Sequence, residues 1–187
     1  MRAHPKILEV VTVEATVRTL LMPLLQRLAA TGYDVHVACA PVRDPIGEMQ
    51  LGFPLHPICM SRKLLSLCHI ISFGQLWRLM RREQFDIVHV HTPVASVVGR
   101  LAACMAGVPF IVYTAHGFYF HENTPRSYRR AIVVLERVLG RACTDLLLTQ
   151  SREDFQTAHD ERMVRDDKAL VWIGNGVDTD RFHPGRD

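Results

Sequence analysis

The first turn of the chain lacks the glycines that a dinucleotide-binding sheet needs. An apolar, β-branched run begins at Lys6, and the turn after it reads TVEAT, residues 12–16, with no glycine at all. A backbone cradle for pyrophosphate needs glycine, because only glycine lets the phosphates approach closely. This turn therefore argues against a nicotinamide or flavin dinucleotide site. Thr16 is more simply interpreted as the cap of the first helix and Glu14 as a loop carboxylate, with contact to substrate hydroxyls as its alternative role.

Three further absences exclude other classes of protein. No run of about 18 apolar residues occurs, so we expect no spanning helix, and the N-terminus MRAHPKILEVV lacks the long apolar core of a signal peptide. The five cysteines form no CxxC pair, which favours buried, reduced thiols and a cytosolic protein. A formal net charge of +3 is too small to indicate a nucleic-acid partner.

What the chain does contain is an alternation of short apolar runs and longer helix-like segments. This alternation predicts a doubly wound α/β fold, a mostly parallel sheet of about seven strands with helices on both faces, as in Rossmann-like domains. A run such as DLLLT is apolar throughout, as a strand buried on both faces must be. The predicted strands lie near residues 6–13, 34–40, 55–58, 86–92, 109–116, 145–151 and 169–176.

Polar residues and glycines follow the carboxyl ends of these predicted strands. In doubly wound sheets, ligands bind beyond this edge. The opposite edge carries ordinary turns such as TGYD and REQFD, so the asymmetry is the first sign of a site. The candidate residues that follow the strands are His91, Thr92, His116, Gly117, His121, Ser151, Asn175 and Gly176.

His116 and Gly117 carry the sharpest signal at this edge. A glycine directly after a strand-terminal histidine lets the backbone turn sharply and leaves the imidazole at the edge of the cleft. An imidazole can hydrogen-bond a substrate hydroxyl or phosphate, and it titrates near neutral pH. The alternative is a turn histidine that satisfies backbone carbonyls, but the neighbouring strand ends favour a functional role.

The HVHT segment places His89 and His91 on one face of a strand. Two histidines at this spacing can ligate a metal, but the sequence shows no third ligand and a pair alone is a weak signal. We therefore expect no metal. His89 is interpreted as a buried, hydrogen-bonded residue, and His91, at the strand end, as the one exposed to ligand.

A mixed apolar and basic segment, residues 61–82, has two interpretations. Basic residues around Leu, Ile, Phe and Trp can lie on an anionic membrane surface. The favoured alternative is a helix that packs on the sheet and keeps a solvated basic face.

Together these motifs resemble the N-terminal domain of retaining GT-B glycosyltransferases of family 4, over essentially the whole chain. The segments that carry the resemblance are, in order, GYDVHVACA, FDIVHVHTP, YTAHGFYFH, LERVLGRACTDLLLTQSREDF and IGNGVDTDRFHP. The TAHGFYFH form is most similar to members that build capsular and other exopolysaccharides on lipid-linked acceptors.

The resemblance implies two Rossmann-like domains with the active site in the cleft between them. Residues 1–174 would be the acceptor-side domain, residues 175–187 would begin the interdomain linker, and the donor-binding C-terminal domain would be absent. His116 would touch the transferred sugar or the acceptor, and the loop from Glu14 to Arg18 would lie near the donor diphosphate. The family generally needs no metal or other cofactor.

The function implied by the resemblance is that of a retaining hexosyltransferase in polysaccharide or glycoconjugate biosynthesis. Its partners would be a nucleotide sugar, a lipid-linked or glycan acceptor, and either the missing domain or a separate partner chain, without which these 187 residues would be inactive. The location would be the cytoplasm or, peripherally, the inner face of the membrane. The alternatives are a non-catalytic glycan- or partner-binding module and half of a sugar-nucleotide epimerase.

Overall fold

The structure is a computed structural model that describes residues 4–40, 52–63, 66–118, 120 and 124–176. All strands within these ranges belong to one parallel sheet. The order across the sheet is β3-β2-β1-β4-β5-β6-β7, and every neighbouring pair is parallel. The predicted doubly wound fold is therefore confirmed. The strands are β1 (Lys6–Val13), β2 (Asp34–Ala40), β3 (Leu55–Pro57), β4 (Ile87–His91), β5 (Phe110–Ala115), β6 (Leu146–Thr149) and β7 (Leu170–Trp172).

Helices connect the strands, and several of them end where the sequence supplies a left-handed residue. Gly32, just beyond the second helix, has a φ of 96°, and Gly107 caps the fourth helix with a φ of 75°. The helices are α1 (Glu14–Thr16), a π-helical turn (Val17–Leu21), α2 (Met22–Ala30), α3 (Cys68–Glu83), α4 (Pro93–Ala106), α5 (Arg126–Ala142), α6 (Arg152–Asp160) and a 3-10 turn (Asp167–Ala169).

The two faces of the sheet pack into two separate apolar clusters. On one face, Leu8 and Val10 of β1 pack with α3 and α4. On the other face, Ile7 and Val11 pack against the π-helical turn and α2. Alternate residues of β1 thus enter opposite cores, as expected of a strand that is buried on both sides.

The strand order changes direction beside β1, and this fixes where a ligand can bind. The chain moves outward from β1 to β2 and β3, then returns to β4 on the other side and continues to β7. In such sheets the crevice lies at the carboxyl ends of the two strands at the switch point. Here those ends are joined by the hydroxyls of Thr12 and Thr92, whose oxygens lie 2.7 Å apart.

The prediction that the cysteines are buried is only partly right. All five cysteines are free. Cys39 and Cys143 are buried, and burial raises the pKa of Cys39 to about 12. Cys59 and Cys104 are exposed, because Cys59 lies just beyond the short edge strand β3 and Cys104 faces outward from α4. Within the described ranges, no helix has the length and apolar character needed to cross a bilayer.

Candidate active site at the carboxyl edge of the sheet

A buried carboxylate binds two histidines in the middle of the sheet. Glu9 of β1 pairs in register with His89 of β4 and is fully buried. Its Oε1 lies 3.2 Å from His89 Nδ1, and its Oε2 lies 2.7 Å from His91 Nε2. The other ring nitrogen of His89, Nε2, lies 2.8 Å from the Thr114 hydroxyl on β5. Since a carboxylate only accepts hydrogen bonds, both histidines donate to Glu9.

The hydrogen-bonded chain continues from this carboxylate to the edge of the sheet. His91 Nδ1 lies 3.0 Å from His116 Nε2, and the two rings stack with their centroids 5.3 Å apart. His116 Nδ1 lies 2.9 Å from Gln150 Oε1, which follows β6. The side chains of Glu9, His91, His116 and Gln150 therefore form one continuous chain across four neighbouring strands. We call these four side chains the histidine relay.

The environment of the histidine relay sets its charges. Burial alone would raise the pKa of Glu9, but the attraction of His89 and hydrogen bonds from His89 and His91 outweigh it and lower the pKa to about 2. Burial and repulsion from His89 lower the pKa of His91 to about 4. Burial also lowers the pKa of His116, against the opposing hydrogen bond with Gln150. At neutral pH, Glu9 is thus ionised while the rings of His91 and His116 are neutral.

His116 is the histidine of the relay that reaches solvent. Its side chain is half-buried, and the exposed Gly117 after it has a φ of 123°, a conformation that favours glycine. The Phe118 backbone N–H donates to Asp154 Oδ1 at 3.4 Å. The predicted sharp turn after the histidine is therefore present. It leaves the imidazole at the carboxyl edge of the sheet, beside the switch point.

The two histidines of β4 do not differ in exposure as the sequence predicted. His89 is buried and hydrogen-bonded, as expected. His91 is also buried, with 1% of its surface exposed, so the expectation that it faces a ligand is wrong. The reason is Glu9, which binds both rings from the neighbouring strand and draws His91 inward. His91 can act on a ligand only through His116.

The first turn also differs from its prediction. Glu14 is the first residue of α1 and is buried, so it is not a loop carboxylate. Arg18, one helical turn later, donates from Nε to Glu14 Oε1 at 2.8 Å. Thr16 lies inside the helical segment and makes no side-chain cap hydrogen bond. The helix starts directly after β1, which leaves Thr16 too late in the chain to cap it.

The other predicted residues are spread along the same edge. Thr92 is half-buried and bonded to Thr12. Ser151 caps α6, where its Oγ accepts from the Asp154 backbone N–H at 2.9 Å, so its hydroxyl is already used in the fold. Asn175 and Gly176 are exposed after β7. His121 lies outside the described residues.

Sequence reasoning missed Glu9 and Gln150. A glutamate within the apolar run KILEVVTV was the available signal, because a charge in a buried strand needs a partner. Glu9 is also the third potential metal ligand that the sequence did not show. One ligand atom each from Glu9, His89 and His91 lies within 4.8 Å of the others. Glu9 accepts from both rings at hydrogen-bond distance, so these three side chains form a hydrogen-bonded network in this structure.

Solved structures with this fold include several sugar-nucleotide enzymes. A glycosyltransferase from Rickettsia africae ESF-5 superposes with a TM-score of 0.67 at 17% identity, over 97% of this chain and 46% of that chain. A UDP-N-acetylglucosamine 2-epimerase gives 0.68 at 16% identity, over 92% and 48% respectively. MurG of Acinetobacter baumannii gives 0.59 at 15% identity, over 95% and 48%. At these identities the likeness establishes the fold, the Rossmann-like half of the GT-B architecture.

Sequence relatives cover the chain but extend well beyond it. The chain is 32% identical over 155 residues to the UDP-Gal:alpha-D-GlcNAc-diphosphoundecaprenol alpha-1,3-galactosyltransferase of Escherichia coli, which covers 81% of this chain and 39% of the relative. It is 32% identical over 184 residues to the protein EpsD of Bacillus subtilis (strain 168), which covers 96% and 46%. The chain thus spans less than half the length of these relatives.

The family is identified by a direct match. The profile of Glycosyltransferase Family 4 matches residues 17–181, a range that includes β2 to β7 and His116. Because this range is most of the chain, and because the fold and the relatives agree with it, the protein belongs to glycosyltransferase family 4.

Proposed function

We propose that this chain is the acceptor-side domain of a glycosyltransferase that moves a sugar from a nucleotide-sugar donor to a lipid-linked or carbohydrate acceptor. The observation that carries the proposal is the family match over residues 17–181. The name of the Escherichia coli relative gives its donor as UDP-Gal and its acceptor as a diphosphoundecaprenol-linked sugar. By extension, we infer an acceptor of that chemical class, a sugar on a lipid diphosphate, and a role in polysaccharide or glycoconjugate biosynthesis.

His116 is the residue we assign to the reacting sugar. It is half-buried at the carboxyl edge and is followed by the open turn at Gly117, so a hydroxyl can reach its ring. Since the ring is neutral at neutral pH, it can accept a hydrogen bond from that hydroxyl and hold it in line for transfer. The reaction would then depend on positioning and on stabilisation of the departing diphosphate, with retention of configuration and without a metal.

The proposed site needs a second domain. These residues span 39% of one relative and 46% of another. We propose that residues 1–174 form one wall of the cleft, that residues 175–187 begin the linker, and that a donor-binding domain or a partner chain forms the other wall. By this proposal the 187 residues alone bind an acceptor but do not catalyse sugar transfer.

A peripheral membrane contact fits a lipid-linked acceptor. One face of α3 packs into the core through Leu76 and Met80, as the favoured interpretation of residues 61–82 predicted. At its N-terminal end, however, Ile70 is 72% exposed, and the preceding Leu67 is 81% exposed. Exposed arginines follow at its C-terminal end, a distribution suited to an anionic leaflet. We propose that the N-terminal end of α3, with its exposed Leu67 and Ile70, meets the inner face of the membrane.

An epimerase is the second candidate, because UDP-N-acetylglucosamine 2-epimerase shares the fold with a TM-score of 0.68. Fold alone does not separate the two activities. An assay with nucleotide sugar and no acceptor does: an epimerase converts the sugar, whereas a transferase needs the acceptor. A non-catalytic binding module would show no turnover in either assay.

The direct test is His116→Ala in the complete reading frame, assayed for sugar transfer to a polyprenyl-diphosphate sugar. We expect kcat to fall by about 100-fold or more, because a positioned hydrogen-bonding group is lost at the reacting centre. His159→Ala, at an exposed position on α6, is the matched control and should retain activity. Thermal unfolding of both variants verifies the fold. Full turnover by a folded His116→Ala enzyme would remove this residue from the mechanism.

A further inference from the structure

The histidine relay fixes the position of each proton along it. Glu9 accepts at both carboxylate oxygens, so His91 must donate from Nε2, 2.7 Å away. A neutral imidazole carries one N–H, which leaves Nδ1 of His91 as an acceptor. Its partner, 3.0 Å away, is His116 Nε2, and this nitrogen must therefore carry the proton. The remaining nitrogen, His116 Nδ1, is then left with a lone pair.

We propose that Glu9, acting through His91, holds His116 in the Nε2–H tautomer and so makes Nδ1 the nitrogen that receives the substrate hydroxyl. Glu9 and His91 are positioning residues in this arrangement, since neither contacts solvent. The assignment of Nδ1 to a substrate rests on the proposed function. The tautomer itself follows from the hydrogen bonds that run from Glu9 through His91 to His116.

Gln150 occupies the place at Nδ1 that the proposal gives to the substrate. Its side-chain amide offers a carbonyl oxygen and an NH₂ group at nearly the same position, and rotation about its last bond exchanges them. With neutral His116, the amide donates to Nδ1. When His116 is protonated, the carbonyl oxygen accepts from it at the observed 2.9 Å. Gln150 therefore keeps Nδ1 hydrogen-bonded in both states until a hydroxyl displaces it.

The groups around His116 favour this order of hydrogen-bond donors and acceptors, which runs from Glu9 outward. His91 faces it from β4, with His89 behind, and Gln150 faces it after β6. The Asp154 carboxylate of α6 accepts from the Ser151 hydroxyl and from the Phe118 backbone N–H. Among these groups only Glu9 is a buried anion, and it lies at the inner end. The carboxylate at that end sets the order of donors and acceptors outward.

The test is the tautomer of each ring in the 187-residue chain, read from long-range proton–nitrogen NMR correlations of ¹⁵N-histidine-labelled protein at pH 7.5 with EDTA present. We expect the Nε2–H tautomer for both His91 and His116. Observation of His116 with its proton on Nδ1 would overturn the proposal. The His36–His56 pair, whose ring nitrogens lie 2.9 Å apart on β2 and β3, is an internal reference outside the relay.

Two substitutions at His91 separate a positioning role from a packing role. In His91→Gln, the amide NH₂ must face the Glu9 carboxylate, so its carbonyl oxygen faces His116 and accepts from Nε2–H as the native ring does. In His91→Phe, no acceptor remains, and the His116 proton should move to Nδ1, toward the Gln150 oxygen. Retention of the Nε2–H tautomer in a folded His91→Phe protein would contradict the proposal. If that variant does not fold, the His116 tautomer in the wild-type and His91→Gln spectra still tests the proposal, since a proton on Nδ1 in either would contradict it.

The activity of the complete enzyme gives an independent readout. His91→Gln should keep kcat near the wild-type value, whereas His91→Phe should lose about tenfold or more, since the wrong tautomer presents an N–H in place of a lone pair. Equal losses in both variants would refute the positioning role. Because the NMR measurement needs no substrate, absence of transferase activity would reject the proposed function while leaving the tautomer assignment standing.

Discussion

Removal of the proton-binding ring of His91 should make the protein less sensitive to acid. His91 is buried as a neutral ring, and burial lowers its pKa from 6.5 to about 4. In the unfolded chain the same ring is free to bind a proton at its ordinary pKa. The folded pKa lies below the unfolded value, so stability is full above about pH 6.5 and is lost progressively down to about pH 4.

The size of this effect follows from the two pKa values. Each pH unit over which the unfolded state holds one extra proton lowers the free energy of unfolding by about 1.4 kcal/mol. Between pH 7.5 and pH 5, one histidine with these values costs about 2 kcal/mol of stability. Total stabilities are about 5–15 kcal/mol, so the fold should persist over this range while the change is easily measured.

Urea unfolding at several pH values, compared between wild type and His91→Gln, measures the effect. The glutamine keeps a donor toward Glu9 and an acceptor toward His116 but does not titrate, so the difference between the two proteins isolates one proton. His116 and His56, whose pKa values burial also lowers, titrate in both proteins. The exposed His159→Gln variant is the control and should follow wild type. Parallel pH curves for wild type and His91→Gln would refute the buried, neutral assignment of His91.

Two further predictions concern packing and the membrane. A Cβ at Gly140 would lie 1.9 Å from the Met163 carbonyl oxygen, so Gly140→Ala should cost about 1–3 kcal/mol, or several degrees in Tm. At Gly74 in α3 an added Cβ has no atom within 4 Å, so Gly74→Ala should instead stabilise the protein by about 1 kcal/mol. Equal melting temperatures for the two variants would contradict the packing at Gly140. Ile70→Glu should reduce co-flotation of the chain with anionic lipid vesicles, whereas Val138→Glu on the exposed face of α5 should not. Failure of the wild-type chain to float would reject the contact.

The fold was readable from the sequence because its strands are buried on both faces. Runs such as DLLLT and DVHVACA are apolar over lengths that suit strands, and intervening segments repeat apolar residues with helical period. The edge at which a ligand is expected could also be predicted, since the carboxyl ends of parallel strands share an edge. His116 and Gly117 follow β5 directly, so their placement needed no knowledge of strand order.

The orientation of side chains at that edge depended on strand order and was not readable. Period two in HVHT places His89 and His91 on the same face, but it does not say which residue of a neighbouring strand they meet. Glu9 is 80 residues before His89, and only the pairing of β1 with β4 brings them together. The expectation that His91 is exposed failed because its partner Glu9 was unknown.

The same limit applies to a buried ion pair outside the site. Arg100 lies in the small-residue helix α4, where a sequence pattern assigns an arginine to the surface, yet its side chain is 1% exposed. Its Nη2 donates to Glu136 Oε2 at 2.8 Å, and its guanidinium lies 4.3 Å from the centre of the Tyr113 ring. The partner is 36 residues away on α5, so only the packed structure shows why this charge can be buried.

The sheet fixes the positions of the side chains in the histidine relay. Each link of the histidine relay crosses between neighbouring strands, β1 to β4 to β5 and then to the end of β6, so the spacing of its atoms is set by the sheet itself. The inner link, from Glu9 to His91, is buried, where a hydrogen bond is strong and an unpaired group is costly. Of the two rings, only that of His116 reaches solvent, and the backbone turns sharply after it at Gly117. The sheet can therefore hold this imidazole in one orientation before a ligand reaches it.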